Sequence, residues 1–120
     1  MTNERAELLE AAKALGAAFS NSALHKKYIE LNQELNKNPE ARKKYEEFKN
    51  AQAELEIARL NNGRVSFEAE YALSQMYTNI VLNPVVKEYM KVEFELTSLY
   101  SEALTLICET CEIRPPEILK

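Results

Sequence analysis

The chain has no tryptophan and no aspartate, only two glycines in 120 residues, and a single histidine, His25. Each shortage excludes something. With glycine only at positions 16 and 63, no phosphate-cradling glycine loop can form, and a β-rich fold would lack its turn chemistry. One histidine and no aspartate leave no Ser-His-Asp triad. No Glu-x-x-His pair occurs, so the usual recipe for a di-metal helical bundle is missing. No apolar run approaches the ~18 residues of a membrane span, and the first residues carry no basic region leading into an apolar stretch, so no secretion signal is expected.

What is present is helical. Every acidic residue is glutamate, a better helix former than aspartate. Asn38-Pro39 and Asn83-Pro84 each follow an amphipathic stretch and open a longer one. Asparagine caps a helix start through its side-chain oxygen, and proline fits the first helical position, where no backbone donor is needed. We therefore expect an all-α fold of about five helices forming antiparallel hairpins. One domain is expected over 1–112, with an extended tail over 113–120 that contains Pro115-Pro116.

Periodicity places the helices. Leu8, Ala12, Leu15 and Phe19 make one stripe over about 3–18, with Gly16 a point of close packing or fraying. Ser20-Asn21-Ser22 breaks it. Leu24, Tyr28, Leu31 and Leu35 mark a second helix over 23–36. A third opens at Pro39 and reaches Leu60, with Ala41, Tyr45, Phe48 and Leu55 on its face, until Asn61-Asn62-Gly63 stops it. Ser66 caps a fourth, from Phe67 to Leu82. The fifth opens at Pro84 and extends to about Cys111.

This last helix is the most apolar. Val85, Tyr89, Val92, Leu96, Leu99, Ala103 and Leu106 step by four and three without a miss. A second row, Val86, Met90, Tyr100, Leu104, Ile107 and Cys111, runs beside it. A helix apolar on two sides is usually packed on two sides. The expected consequence is a homo-oligomer, a dimer or larger, with Tyr89, Val92, Leu96, Leu99, Tyr100, Ala103 and Leu106 as interface residues. Each half of the chain has a tyrosine-bearing helix, then Asn-Pro, then a long helix with aromatics, which is either a duplication or two hairpins with one packing solution.

Charge and chemistry point away from catalysis. Net charge is −4; residues 1–60 hold ten basic and ten acidic side chains, residues 61–120 five and nine. Direct nucleic-acid binding needs clustered Lys and Arg, and the best candidate, Arg42-Lys43-Lys44, is surrounded by Glu40, Glu46 and Glu47, as on a solvated helix face. His25 lies off its helix's apolar stripe and reads as a surface residue; Glu93 reads as a residue at a stripe edge. Cys108-Glu109-Thr110-Cys111 has the spacing for metal ligation, zinc or an iron–sulfur cluster, or for thiol redox work. Two thiolates do not complete a tetrahedral site, so other ligands would come from a second chain. Plain packing is the alternative, since cysteine is a good small hydrophobe.

The order of these marks resembles a known family. Leu8-Leu9-Glu10-Ala11-Ala12 with Leu15-Gly16, Ser22 before a tyrosine-bearing helix, Asn38-Pro39-Glu40-Ala41, Phe48 and Gln52, Asn62-Gly63, and Asn83-Pro84-Val85-Val86-Lys87-Glu88-Tyr89-Met90 with Glu93 are together similar to the YlbF/YmcA/YheA family of small bacterial proteins, over about residues 5–108. The resemblance implies an all-helical, self-associating, non-enzymatic protein, and with no secretion signal expected a reduced cytoplasmic setting is the default. It implies regulation of competence, sporulation and biofilm formation, within a complex of family members that adjusts messenger-RNA processing by ribonuclease Y. Some members of that complex hold iron–sulfur clusters on cysteines, which would make Cys108 and Cys111 metal ligands; the competing function is then a metal or redox sensor at a subunit junction.

Overall fold

The structure, a computed structural model, describes residues 2–112. Five helices account for nearly all of them: α1 (Thr2–Asn21), α2 (Ala23–Asn36), α3 (Pro39–Asn62), α4 (Phe67–Ile80) and α5 (Pro84–Cys111). No strand occurs among the described residues. The expected tail, 113–120, lies outside them.

Local chemistry sets each boundary. Ser22 Oγ accepts from the His25 amide (3.1 Å) and donates to the Phe19 carbonyl (2.7 Å), so one hydroxyl ends α1 and begins α2. Asn38 Oδ1 accepts from the Ala41 amide at 3.1 Å. Asn83 Oδ1 accepts from Val85 and Val86, at 2.9 and 3.3 Å. Both asparagines thus satisfy orphan amides of a first helical turn, with proline at its start. Ser66 caps α4 through the Ala69 amide. Gly63 closes α3 in the left-handed region, φ 76°, donating to the Arg59 carbonyl at 2.8 Å. α4 stops two residues earlier than the expected Leu82, because the Leu82 and Asn83 amides turn back onto the Asn79 and Ile80 carbonyls. α1 instead runs past Ala18 to Asn21, and a Cβ built on Gly16 meets nothing within 4 Å, so that glycine marks neither a close approach nor an end within this chain.

The chain packs as two compact units, Leu31–Lys91 and a second made of Met1–Glu30 with Val92–Lys120; the boundary falls within α2 and within α5. In the Leu31–Lys91 unit, α3 and α4 form an antiparallel hairpin. Phe48 stacks tilted on Tyr77 with ring centroids 5.9 Å apart, and Arg59 bridges Glu56 at 3.0 Å and Glu70 at 3.5 Å. Leu35, Ala41, Tyr45, Phe48, Ile80, Val86 and Tyr89 form its buried core.

In the other unit, α1 meets α5 through one aromatic pair. Phe19 and Tyr100 lie edge to face, ring centroids 4.6 Å apart. Beside them a shallow apolar hollow of about 200 Å³ is lined by Leu15, Ala18, Phe19, Ser22 and Leu99. Val92, Leu96 and Cys108 are buried. Along α1, every residue from Asn3 to Ala18 is exposed.

Candidate functional site

The feature that stands out is apolar surface without cover. A lone exposed leucine needs no explanation, but contiguous rows do. On α1, Leu8 is 68% exposed, and Leu9 and Leu15 are open as well. On the C-terminal part of α5, Leu99, Tyr100, Leu104, Leu106 and Ile107 are all exposed. Both sets belong to the Met1–Glu30/Val92–Lys120 unit. The stripe that sequence periodicity marks on α1 is therefore real as a helix face, yet only its last member, Phe19, is half-buried.

The seven residues expected at an interface divide sharply. Tyr89 and Val92 are each 2% exposed and Leu96 is 4% exposed within the single chain. Side chains so enclosed belong to the chain's own interior and have no surface left for a second copy. Ala103 is half-buried, while Leu99, Tyr100 and Leu106 are open, Leu106 at 62%. The available face of α5 thus begins at Leu99.

The basic patch also divides. Lys43 and Lys44 are exposed, as expected, with Lys44 Nζ 3.5 Å from Glu40. Arg42 is not a merely solvated residue. Its guanidinium donates to Asn32 Oδ1 at 2.9 Å, pairs with Glu46 at 2.8 Å, and lies 5.7 and 5.8 Å from the ring centroids of Tyr45 and Tyr89. The two tyrosines meet edge to face at 5.3 Å. Partial burial works against the cation, but the Tyr89 hydrogen bond and the charge of Glu46 outweigh it and hold the Arg42 pKa above the usual arginine value. The cluster locks α2, α3 and α5 together inside the Leu31–Lys91 unit. Arg42 three residues before Tyr45 was the sequence signal, since that spacing puts both on one helix face.

The two Asn-Pro helix starts come together in the same unit. Asn38, Ala41 and Lys44 from one, and Asn79, Asn83 and Val86 around the other, line a hollow of about 390 Å³. The Ala41, Val85 and Val86 amides beside it are already capped, and Lys44 is paired with Glu40.

His25 is half-buried rather than on the open surface. Its Nδ1 is enclosed without a hydrogen-bond partner among the described residues, and its ring centroid is 6.3 Å from that of Tyr28. Glu93 is half-buried at the edge of the α5 row. Cys108 is buried and Cys111 exposed, both as free thiols. No cluster of three or more His, Cys, Asp or Glu side chains that could hold a metal exists among the described residues. The two cysteines therefore do not fit a metal site built by this chain alone: it supplies two of the four donors, one of them turned inward. No described helix is long and apolar enough to cross a membrane.

The described residues thus form an all-helical chain with rows of apolar side chains on show. Residues 8–110 match the family described as control of competence regulator ComK, YlbF/YmcA, and the chain belongs to that family. It is 28% identical over 103 residues to a UPF0342 protein of Caldicellulosiruptor bescii, covering 86% of this chain and 87% of the relative. It is equally similar, 28% over 103 residues, to a UPF0342 protein of Caldicellulosiruptor saccharolyticus, covering 86% of each. No solved structure matches it.

Proposed function

We propose that this protein is a non-enzymatic cytoplasmic regulator that acts by binding other proteins, in assemblies that include copies of itself. The observation that carries this reading is the uncovered apolar surface of α1 and of α5 beyond Leu96. Burying one such leucine side chain stabilises an assembly by about 1.5–3 kcal/mol, so rows of them favour association strongly. Self-association uses Leu8 and Leu15 of the α1 stripe, with Leu9 beside them, together with the α5 row of Tyr100, Leu104 and Ile107. These are the kinds of side chains that anchor interfaces.

Membership of a family of competence regulators supports a regulatory role. The finer reading is that the protein joins family members in a complex that adjusts messenger-RNA processing by ribonuclease Y, as regulators of competence, sporulation and biofilm formation do. The test is to map transcript 5′ ends in the source bacterium, comparing the intact gene, a deletion, and a Leu8→Glu/Leu15→Glu variant. The reading expects both altered strains to lose the same subset of ribonuclease Y cleavages. An unchanged cleavage map in the deletion contradicts it.

A further inference from the structure

The open end of α5 carries charge on one edge only, and that edge says what covers it. Taking the four-and-three steps of Tyr89, Val92, Leu96, Leu99, Ala103 and Leu106 as the seam of a heptad, the position just before each Leu96-type residue is a glutamate: Glu95, Glu102 and Glu109, each seven apart. All three are exposed and none has an ion-pair partner among the described residues. They flank Leu99 and Leu106, which are open. The opposite edge of the same seam holds Glu93, Tyr100 and Ile107, so beyond Leu96 that edge carries no charge, and Tyr100 is met by Phe19 of α1. From Val92 to Cys111 the helix has four glutamates and no lysine or arginine.

We infer that the Leu99–Leu106 face of α5 docks an amphipathic helix from a different protein, one with lysine or arginine at heptad spacing beside an apolar seam. Charges flanking a coiled-coil seam set partner choice more than they set raw affinity. A second copy of this chain fails that criterion helix by helix. Two α5 helices side by side in parallel place the glutamates against Tyr100 and Ile107; antiparallel, glutamate faces glutamate. The positions flanking the α1 stripe are Leu9 and Gly16 on one edge, Ala11 and Ala18 on the other. α4 has no basic residue. On α2, only Lys27 flanks the stripe with positive charge. α3 does have Arg42 and Lys49 beside its seam, but Ala41, Tyr45 and Phe48 of that seam are already buried. The glutamate edge spans about 21 Å, fourteen residues at 1.5 Å each, so the docked helix needs about four turns.

This inference rests on the reading of the protein as a docking regulator, and one experiment separates the two. The probes are two synthetic peptides of about 21 residues with Leu and Ile at the seam positions, one with Lys at both flanking positions and one with Glu. Fluorescence anisotropy measures their binding to the full chain, with light scattering on the same samples. The basic peptide is expected to bind at least about tenfold more tightly. Glu95→Lys/Glu102→Lys/Glu109→Lys should invert the preference, and the triple Gln variant should reduce it, each checked for helicity by circular dichroism. A control with Glu47, Glu54 and Glu68 changed to Gln should keep the preference, since a generally acidic chain would otherwise attract any basic peptide. Equal affinity for both peptides, no binding of either, or equal loss in the control and the triple Gln variant overturns the inference. A monomeric mass with peptide preference intact overturns self-association alone.

Discussion

Phe19 and Tyr100 meet edge to face with their ring centroids 4.6 Å apart, and this pair is the aromatic clasp between α1 and α5. Such pairs contribute about 0.5–1.5 kcal/mol beyond the area they bury. Every residue of α1 from Asn3 to Ala18 is exposed, so that stretch of the helix is bare and Phe19 holds it at its C-terminal end. Most helical stability in proteins comes from packing of an apolar face rather than from propensity, which makes α1 dependent on what else covers it.

Phe19→Ala should therefore loosen α1 without unfolding the Leu31–Lys91 unit, whose core contains none of its atoms. In hydrogen exchange, amides 3–18 are expected to lose at least about tenfold protection at concentrations where the protein is dilute, while α3 amides change little. Uniform loss across both units would contradict this division.

The two glycines predict opposite signs for one substitution. Gly63 ends α3 at φ 76°, where a side chain is strained, so Gly63→Ala should cost about 1–2 kcal/mol. Gly16 sits inside α1 with nothing within 4 Å of a built Cβ, so Gly16→Ala should stabilise by about 0.5–1 kcal/mol through helix propensity. Urea unfolding of the two variants measures both; destabilisation by Gly16→Ala would mean that another helix approaches closely there in the assembly.

Cys111 is exposed and Cys108 buried, so a thiol reagent should modify Cys111 quickly in the folded protein and Cys108 only on unfolding. Cys108→Ser should cost stability by placing a hydroxyl in an apolar site, about 1–3 kcal/mol, whereas Cys111→Ser should be nearly neutral. Iron or zinc bound at a fixed ratio in anaerobically purified protein, and lost in both serine variants, would instead make the pair a site completed by another chain.

Much of the architecture was legible in the sequence because the helix ends are written in local chemistry. Asn38-Pro39, Asn83-Pro84, Ser66 and Asn62-Gly63 act on amides and carbonyls within one turn, so no tertiary information is needed to place α3 and the starts of α4 and α5. Cover is different. The α1 stripe of Leu8, Ala12 and Leu15 and the α2 stripe ending at Leu35 have the same spacing, yet Leu35 is buried and the α1 residues are bare. Periodicity says that a face is apolar, not what lies against it. The same limit explains why Tyr89, Val92 and Leu96 continue seamlessly into Leu99 and Leu106 in the sequence, although the chain encloses the first three and leaves the last two open. Arg42 was hidden for a related reason: its partners Asn32 and Tyr89 lie ten and 47 residues away, and only Tyr45 and Glu46 are local.

The central claim is that the bare faces of α1 and α5 exist to be covered by other protein surfaces, beginning with a second copy of this chain. Absolute mass by light scattering, across a hundredfold range of concentration, tests it most directly. The account predicts a multiple of the 13.8 kDa chain mass for the wild type and a return to the single-chain mass for Leu8→Glu/Leu15→Glu with helicity retained. A wild-type protein that stays at the single-chain mass throughout would contradict it.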